Sequence, residues 1–172
     1  SDGKYIITAE DDHSMKLWKG STGEFVKSFD FHHNWIYNAT PGPKGKRAVS
    51  ASDDGSAVIF SLDEPTKTLK LSINRSGINK AIFTPDGNEV VTAGDDGAVR
   101  IWDAYSGRHI YGIHAHNGWV LDVDLSPDGN IIASAGDDGT IRTWNAKKRT
   151  YGQRVHRRTF RGHQHWVMDV EF

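Results

Sequence analysis

The chain has no cysteine among its 172 residues, so disulfide bonds and thiolate metal sites are excluded. It also lacks the run of about 18 apolar residues that a bilayer-spanning helix needs. Its first residues, SDGKYIITAE, lack the basic start and apolar core of a secretory signal. We therefore expect an intracellular protein, cytoplasmic or nuclear, without a membrane partner.

Excess charge of one sign is absent as well. The formal net charge is −1, which leaves no global electrostatic field to recruit nucleic acid or a membrane surface. A glycine-rich phosphate loop is missing, so we expect no cofactor. The DDG triplets resemble part of a calcium loop, but the alternating acidic pattern and the closing Glu are missing. We therefore expect no metal site.

The chain does contain a fourfold internal repeat. The segment AGDDGAVRIWD at 93–103 is followed 42 residues later by AGDDGTIRTWN at 135–145. Two earlier copies, ASDDGSAVIFS at 51–61 and AEDDHSMKLWK at 9–19, keep the same spacing. A fixed period of this length indicates an architecture built from repeated supersecondary units.

Each repeat predicts four short strands. Segments such as EVVTAG, AVRIW, HIYGI and WVLDVDL are rich in β-branched and aromatic residues, and PDG or DDG turns separate them. No segment has a sustained helical period, so the predicted fold class is all-β. Apolar or small residues occupy both faces of VVTAG and VRIW, which indicates sheets buried between two others, as in radially packed blades.

On these residues the whole chain resembles the WD-repeat (WD40) β-propeller family. The family signature is a Gly-His before the first strand and a Trp-Asp that ends the third. Only Gly162-His163 and Trp102-Asp103 match the two dipeptides in full. The resemblance implies a β-propeller of four WD-type repeats of about 42 residues, with four antiparallel strands in each blade.

The resemblance also implies that each unit holds a buried structural tetrad of His, Ser or Thr, Asp and Trp. Such polar groups need hydrogen-bond partners when they are buried, and a closed network supplies them. Ser, His and Asp also form catalytic triads, but a set that recurs four times with Ser and Thr interchanged does not indicate a nucleophile. We expect no enzyme. The four sets are Thr8, Asp12, Trp18 with His163; His32, Ser50, Asp54 with Phe60; Thr92, Asp96, Trp102 with Asn74; and His116, Ser134, Asp138, Trp144.

The function that the resemblance implies is a non-catalytic scaffold that binds a protein or peptide on one face of the propeller. Family members present this face where the first strand of each blade begins, three to six residues beyond the tetrad His. Aromatic anchors ringed by polar groups are typical of interaction hot spots. Packing of the Trp rings between blades is the alternative. The expected partner-binding residues are Trp35, Tyr37, Asn38, Lys80, Trp119, Asp122, Trp166 and Asp169.

A second hypothesis rests on the basic segment 142–161. Residues 139–168 carry eight Lys and Arg residues and no Asp or Glu. Such a strip could bind nucleic-acid phosphates or an acidic partner. A solvated outer hairpin is the alternative interpretation.

The repeat register predicts the blade boundaries. The expected blades are 1–30 completed by 162–172, 31–73, 74–114 and 115–161. Three assemblies fit this register: two chains that close an eight-bladed ring as a homodimer, part of a longer propeller, or a lone four-bladed ring. If a ring closes, His163 should be hydrogen-bonded to the set of Thr8, Asp12 and Trp18.

Overall fold

The computed structural model describes residues 3–10, 12–64, 66–72, 76–147 and 156–172. These residues form fifteen strands and no helix, which confirms the all-β prediction. Consistently, the described part contains no helix that could cross a membrane.

The strands form four antiparallel sheets in sequence order. The first sheet has three strands: β1 (Tyr5–Ala9), β2 (Met15–Lys19) and β3 (Phe25–Phe29). The second comprises β4 (Ile36–Pro41), β5 (Arg47–Ser52), β6 (Ala57–Ser61) and β7 (Thr68–Leu71). The third comprises β8 (Ile78–Phe83), β9 (Glu89–Gly94), β10 (Ala98–Asp103) and β11 (His109–His114). The fourth comprises β12 (Val120–Leu125), β13 (Ile131–Gly136), β14 (Thr140–Asn145) and β15 (His156–Arg161).

The DDG turns explain why three of the four repeats share a glycine. Gly55, Gly97 and Gly139 all adopt left-handed backbone conformations, with φ of 79°, 76° and 72°. Only glycine takes this conformation without steric cost. The first unit has His13 at the equivalent position, also left-handed at φ 68°. A non-glycine residue there costs roughly 1 kcal/mol, so this turn is the least favourable of the four.

Hydrophobic clusters fill the space between successive sheets. Neighbouring residues of one strand enter different clusters: Ala48 packs towards the first sheet and Val49 towards the third. In the same way, Val90 joins the cluster on one face of the third sheet and Val91 the cluster on the other. The middle sheets are therefore buried on both faces, as the apolar pattern of their strands predicts.

The innermost strands line up along the assembly, with β4 packed against β8 and β8 against β12. The first sheet also contacts this row, through β1 and β4, but it has no strand equivalent to β4. Tyr5 and Ile6 of β1 are consequently 41% and 52% exposed.

The last residues follow the fourth sheet and do not join the first. The backbone amides of Val170 and Phe172 donate to the carboxylates of Asp122 and Asp124, at 3.0 and 2.9 Å. Residues 162–172 thus lie beside β12, where the inner strand of a following blade would stand. Residues 162–172 form no strand of the first sheet, and the expected completion of 1–30 by 162–172 stays a prediction.

Candidate partner-binding face

The candidate site lies at one end of the sheets. Because neighbouring strands run in opposite directions, the segment before each inner strand meets the turn between the second and third strands. The amide of Asp53 donates to the carbonyl of Trp35 at 3.0 Å, and that of Asp137 to the carbonyl of Trp119 at 3.1 Å. We call this end the upper face; it comprises residues 32–37, 53–55, 77–79, 95–97, 116–119, 137–139 and 163–168.

Large apolar side chains are exposed on the upper face. Trp35, Trp119 and Trp166 are 56%, 46% and 58% exposed, so these rings do not pack between sheets. The ring centroids of Trp119 and Trp166 are 6.0 Å apart. Tyr37 and Met168 are also exposed. Clustered exposure of this kind distinguishes interaction surfaces from ordinary surface, where large apolar residues are scattered singly.

Three carboxylates belong to the upper face and share the 42-residue spacing: Asp53, Asp95 and Asp137. Burial raises the pKa of Asp95, and the nearby charges of Asp53 and Asp137 raise it further. Asn79 Nδ2 donates to Asp95 Oδ1 at 2.7 Å, which partly offsets these effects. The sequence prediction of the site omitted these residues, although the repeat itself supplied the signal: each is the first Asp of a DD pair.

The remaining expected contacts lie deeper, near a cavity of about 360 Å³ lined by residues that include Lys80, Asp122 and Asp169. Lys80 Nζ is 3.0 Å from Asp122 Oδ1. Burial raises the pKa of Asp122, and a hydrogen bond with Asp169 raises it further. Since Asp122 is only 3% exposed, it supports the face and cannot touch a partner as expected. Asp169 is exposed, and Asn38 accepts a hydrogen bond from Thr40 Oγ1 at 2.8 Å.

Polar networks beneath the face connect its turns to the strands. In the fourth sheet, Trp144 Nε1 donates to Ser134 Oγ at 3.0 Å, and Ser134 lies 2.8 Å from His116 Nε2. His116 Nδ1 is 2.9 Å from Asp138 Oδ1. Because a carboxylate only accepts, Nδ1 carries the proton and Nε2 accepts from the Ser134 hydroxyl. Every member of this network has a partner.

The protonation states of the network follow from its burial. Burial lowers the pKa of His116, although the Asp138 carboxylate opposes that shift. Burial by itself would raise the pKa of Asp138, but hydrogen bonds from Thr140 and His116 lower it to about 2. The structure therefore holds a neutral imidazole beside an ionised carboxylate at neutral pH.

The second sheet contains the same His–Ser–Asp arrangement without an indole. His32 Nδ1 is 3.0 Å from Asp54 Oδ2, and its Nε2 is 2.7 Å from Ser50 Oγ. Phe60 replaces the Trp and is fully buried against Phe29, with ring centroids 4.8 Å apart. Packing between aromatic rings takes the place of the indole hydrogen bond in this sheet.

The other two sets are partial among the described residues. Trp102 Nε1 donates to Thr92 Oγ1 at 2.9 Å, and Trp18 Nε1 donates to Thr8 Oγ1 at 2.9 Å. Asp96 forms an ion pair with Arg100, while Asn74 lies outside the described residues.

His163 stays apart from the first set. It is exposed, and its carbonyl oxygen lies near Gly139 of the fourth sheet. Asp12 is exposed as well, and it accepts from the amide of Ser14 at 3.0 Å. Within a single chain, the expected network of His163 with Thr8, Asp12 and Trp18 is not formed, because His163 follows the fourth sheet.

The basic segment 142–161 is described only in part, since 148–155 lie outside the described residues. Arg142 makes contacts within the fold. Its Nη1 donates to the carbonyl of Ala115 at 2.7 Å, and its Nη2 is 3.1 Å from Asp138. Arg157, Arg158 and Arg161 are exposed on the outermost strand β15. Among the described residues, no group of His, Asp and Glu side chains is arranged to hold a metal ion.

Comparison with known families identifies the class of protein. The WD40 family, described as WD domain, G-beta repeat, matches residues 23–61, 64–103 and 107–145. These matches cover more than half of the chain, which therefore belongs to the WD40 repeat family, as the repeat pattern predicts. WD40 repeats generally mediate protein–protein interactions, and proteins built from them are generally non-catalytic scaffolds. No curated protein matches the chain.

Proposed function

We propose that the protein is a non-catalytic scaffold that binds a protein or peptide partner through its upper face. The observation that carries this proposal is the shared exposure of Trp35, Trp119 and Trp166 at one end of the sheets. Burial of a large side chain contributes about 1.5–3 kcal/mol, so three exposed indoles offer a large gain to a partner that covers them.

The fold supports the proposal by holding these rings on rigid positions. Each of Trp35 and Trp119 precedes an inner strand and accepts a backbone hydrogen bond from the neighbouring DDG turn. Preorganised contacts of this kind lose little conformational entropy on binding. The proposed site also includes Tyr37, Asn38, Lys80 and Asp169, and Asp122 supports it through its ion pair with Lys80.

Alanine substitution of the three Trp residues tests the proposal. A partner is captured from cell extract with the wild-type chain, purified, and its affinity measured directly for Trp35→Ala, Trp119→Ala and Trp166→Ala. Loss of a hot-spot Trp costs about 2 kcal/mol or more, close to a thirtyfold loss of affinity. Tyr105→Ala is the matched control, because Tyr105 is 62% exposed and follows the third strand of its sheet, at the opposite end.

Comparison of the variants shows whether the partner binds on the upper face or elsewhere on the surface. The proposal requires that at least one Trp variant lose binding while Tyr105→Ala retains it. If all three Trp variants bind like the wild type, the partner site lies elsewhere.

We also propose that β1 is completed by an inner strand from a second copy of the chain. Residues 167–172 align with β4 in repeat register, and β1 leaves Tyr5 and Ile6 exposed. Exposed strand edges readily accept another strand. Two chains would then join 162–172 of one to 1–30 of the other, with His163 beside Thr8, Asp12 and Trp18, and the result is an eight-bladed homodimeric ring.

Sedimentation equilibrium tests this closure. The proposal predicts twice the chain mass of 19.1 kDa for the wild type, and monomers for a variant with Ile6→Lys at the β1 edge. A wild-type monomer at every concentration would contradict the homodimer.

The alternative function is the binding of nucleic acid or an acidic partner through the basic segment 142–161. The exposure of Arg157, Arg158 and Arg161 on β15 favours it. Retention on heparin that falls with salt and with Arg157→Gln and Arg158→Gln would support this alternative. Equal retention of the variant and the wild type would exclude it.

A further inference from the structure

We propose that the upper face selects a cationic peptide segment, whose Lys or Arg side chain lies against the exposed indoles beside Asp53, Asp95 and Asp137. This inference rests on the proposed function and adds the chemistry of the partner. It follows from the way in which this face combines aromatic rings with carboxylates that form no ion pair among the described residues.

The aromatic part of the surface suits a cation. Trp119 and Trp166 lie with ring centroids 6.0 Å apart and an interplanar angle of 56°. Both rings are about half exposed. A Lys or Arg side chain binds favourably over an indole face, and Trp is the strongest of the aromatic residues in this respect.

The carboxylates differ in pairing within each DD pair. The second Asp of a pair is neutralised in the third and fourth sheets, where Asp96 pairs with Arg100 and Asp138 with Arg142. The first Asp of each pair, Asp53, Asp95 or Asp137, forms no ion pair within the part of the chain that the structure describes. The upper face therefore holds three carboxylates that form no ion pair with any described residue.

The three unpaired carboxylates are close enough to repel one another. Burial raises the pKa of Asp95; the Asn79 hydrogen bond opposes this shift, and the charges of Asp53, Asp96 and Asp137 add to it. Burial also raises the pKa of Tyr37, and the charge of Asp53 raises it further. Lys80, the one Lys among the expected contacts, is already paired with Asp122 at 3.0 Å. A cation from a partner would relieve this repulsion, whereas an acidic segment would increase it.

Fluorescence anisotropy with a short labelled peptide of alternating Arg and Ala tests the inference. Matched peptides carry Gln or Glu in place of Arg. We expect the Arg peptide to bind the wild-type chain more tightly than the Gln peptide, and the Glu peptide to bind least. The preference should shrink at about 0.5 M salt, where the charges are screened.

Conservative substitutions locate the charges responsible. Asp53→Asn, Asp95→Asn and Asp137→Asn should each weaken the Arg peptide about three- to fivefold at low salt. Asp63→Asn is the matched control, because the same substitution removes the same charge from an exposed side chain that follows β6, at the opposite end of the sheets.

A stability measurement distinguishes a binding role from a structural one. The raised pKa of Asp95 means that ionisation of this carboxyl group disfavours the folded state, so its contribution to stability falls as the pH rises and the group ionises. Asp95→Asn should therefore leave the urea midpoint at pH 7 unchanged or raised while it weakens peptide binding. If Asp95 served only to stabilise the fold, Asp95→Asn would lower the urea midpoint.

The possible outcomes separate this inference from the proposed function. Equal binding of the Arg, Gln and Glu peptides, or binding unaffected by the three Asn variants, overturns the cationic selection. In either case, loss of a purified partner in the Trp variants would still support the upper face as an interaction site. If the Trp variants bind the Arg peptide as tightly as the wild type does, the Arg side chain does not bind against the indoles as proposed.

Discussion

Trp144→Phe removes one hydrogen bond from the most complete polar network among the described residues. Trp144 is 5% exposed and donates to the fully buried Ser134 hydroxyl at 3.0 Å. The lost bond costs about 1 kcal/mol. The smaller ring leaves a cavity that adds about 1–2 kcal/mol. We therefore expect the free energy of unfolding to fall by about 2–3 kcal/mol, a large part of the 5–15 kcal/mol typical of a domain.

Urea unfolding followed by circular dichroism measures this loss, and a double-mutant cycle separates the bond from the cavity. Trp144→Phe and Ser134→Ala should show a coupling energy of about 1 kcal/mol, because both remove the same bond. The matched cycle in the second sheet, Phe60→Leu with Ser50→Ala, lacks that bond, so its coupling should be smaller. A loss below about 0.5 kcal/mol for Trp144→Phe would refute the reasoning.

Three further perturbations test other parts of the structure. Acidification should destabilise the fold in two stages. Burial lowers the pKa of His32 and His116 from the usual 6.5, so the free energy of unfolding falls as the pH drops below that value, and a flat profile from pH 7 to 5 would contradict this stage. The free energy of unfolding falls again between about pH 4 and 2, as Asp138 is protonated. Gly136→Ala should destabilise the fold strongly, because the added Cβ would lie 2.3 Å from His116 Nδ1. Gly112→Ala should be tolerated, because the nearest atom to its added Cβ would be 3.4 Å away. Equal urea midpoints for the two variants would count against this packing. Arg47→Met should lower the free energy of unfolding by about 1–3 kcal/mol. The Arg47 guanidinium donates to the carbonyls of Ala104 and Gly87 at 2.5 and 2.8 Å and lies over the Tyr105 ring, so it links the second and third sheets. An unchanged free energy of unfolding would show that this link is unimportant.

The repeat predicts the strands and much of the polar network because both depend on local, periodic chemistry. Turn residues at fixed offsets determine where strands end, and a 42-residue spacing puts equivalent side chains at equivalent places in successive sheets. The hydrogen bonds of His32 and His116 to residues 18 and 22 positions later follow this spacing.

Contacts without a periodic counterpart were not predictable from the sequence. Arg47 occupies the position of Glu89 and Ile131, so nothing in the repeat indicates its bridge to the third sheet. The burial of Asp122 depends on Lys80 of a neighbouring strand and on the segment that contains Val170, which come together only when the sheets pack. The location of 162–172 likewise depends on how successive sheets are arranged, which a register alone does not determine.

The two environments of the six Trp residues are the most direct test of the account. Trp18, Trp102 and Trp144 donate their indole N–H groups to hydroxyls within a sheet, whereas Trp35, Trp119 and Trp166 are exposed on the upper face. Indole ¹H–¹⁵N NMR signals, assigned by single substitutions and followed during titration with the purified partner, report on both groups at once. The account predicts that signals of the exposed group shift or broaden while those of the hydrogen-bonded group stay in place. Unchanged signals from Trp35, Trp119 and Trp166 at saturation would contradict the upper face as the binding site.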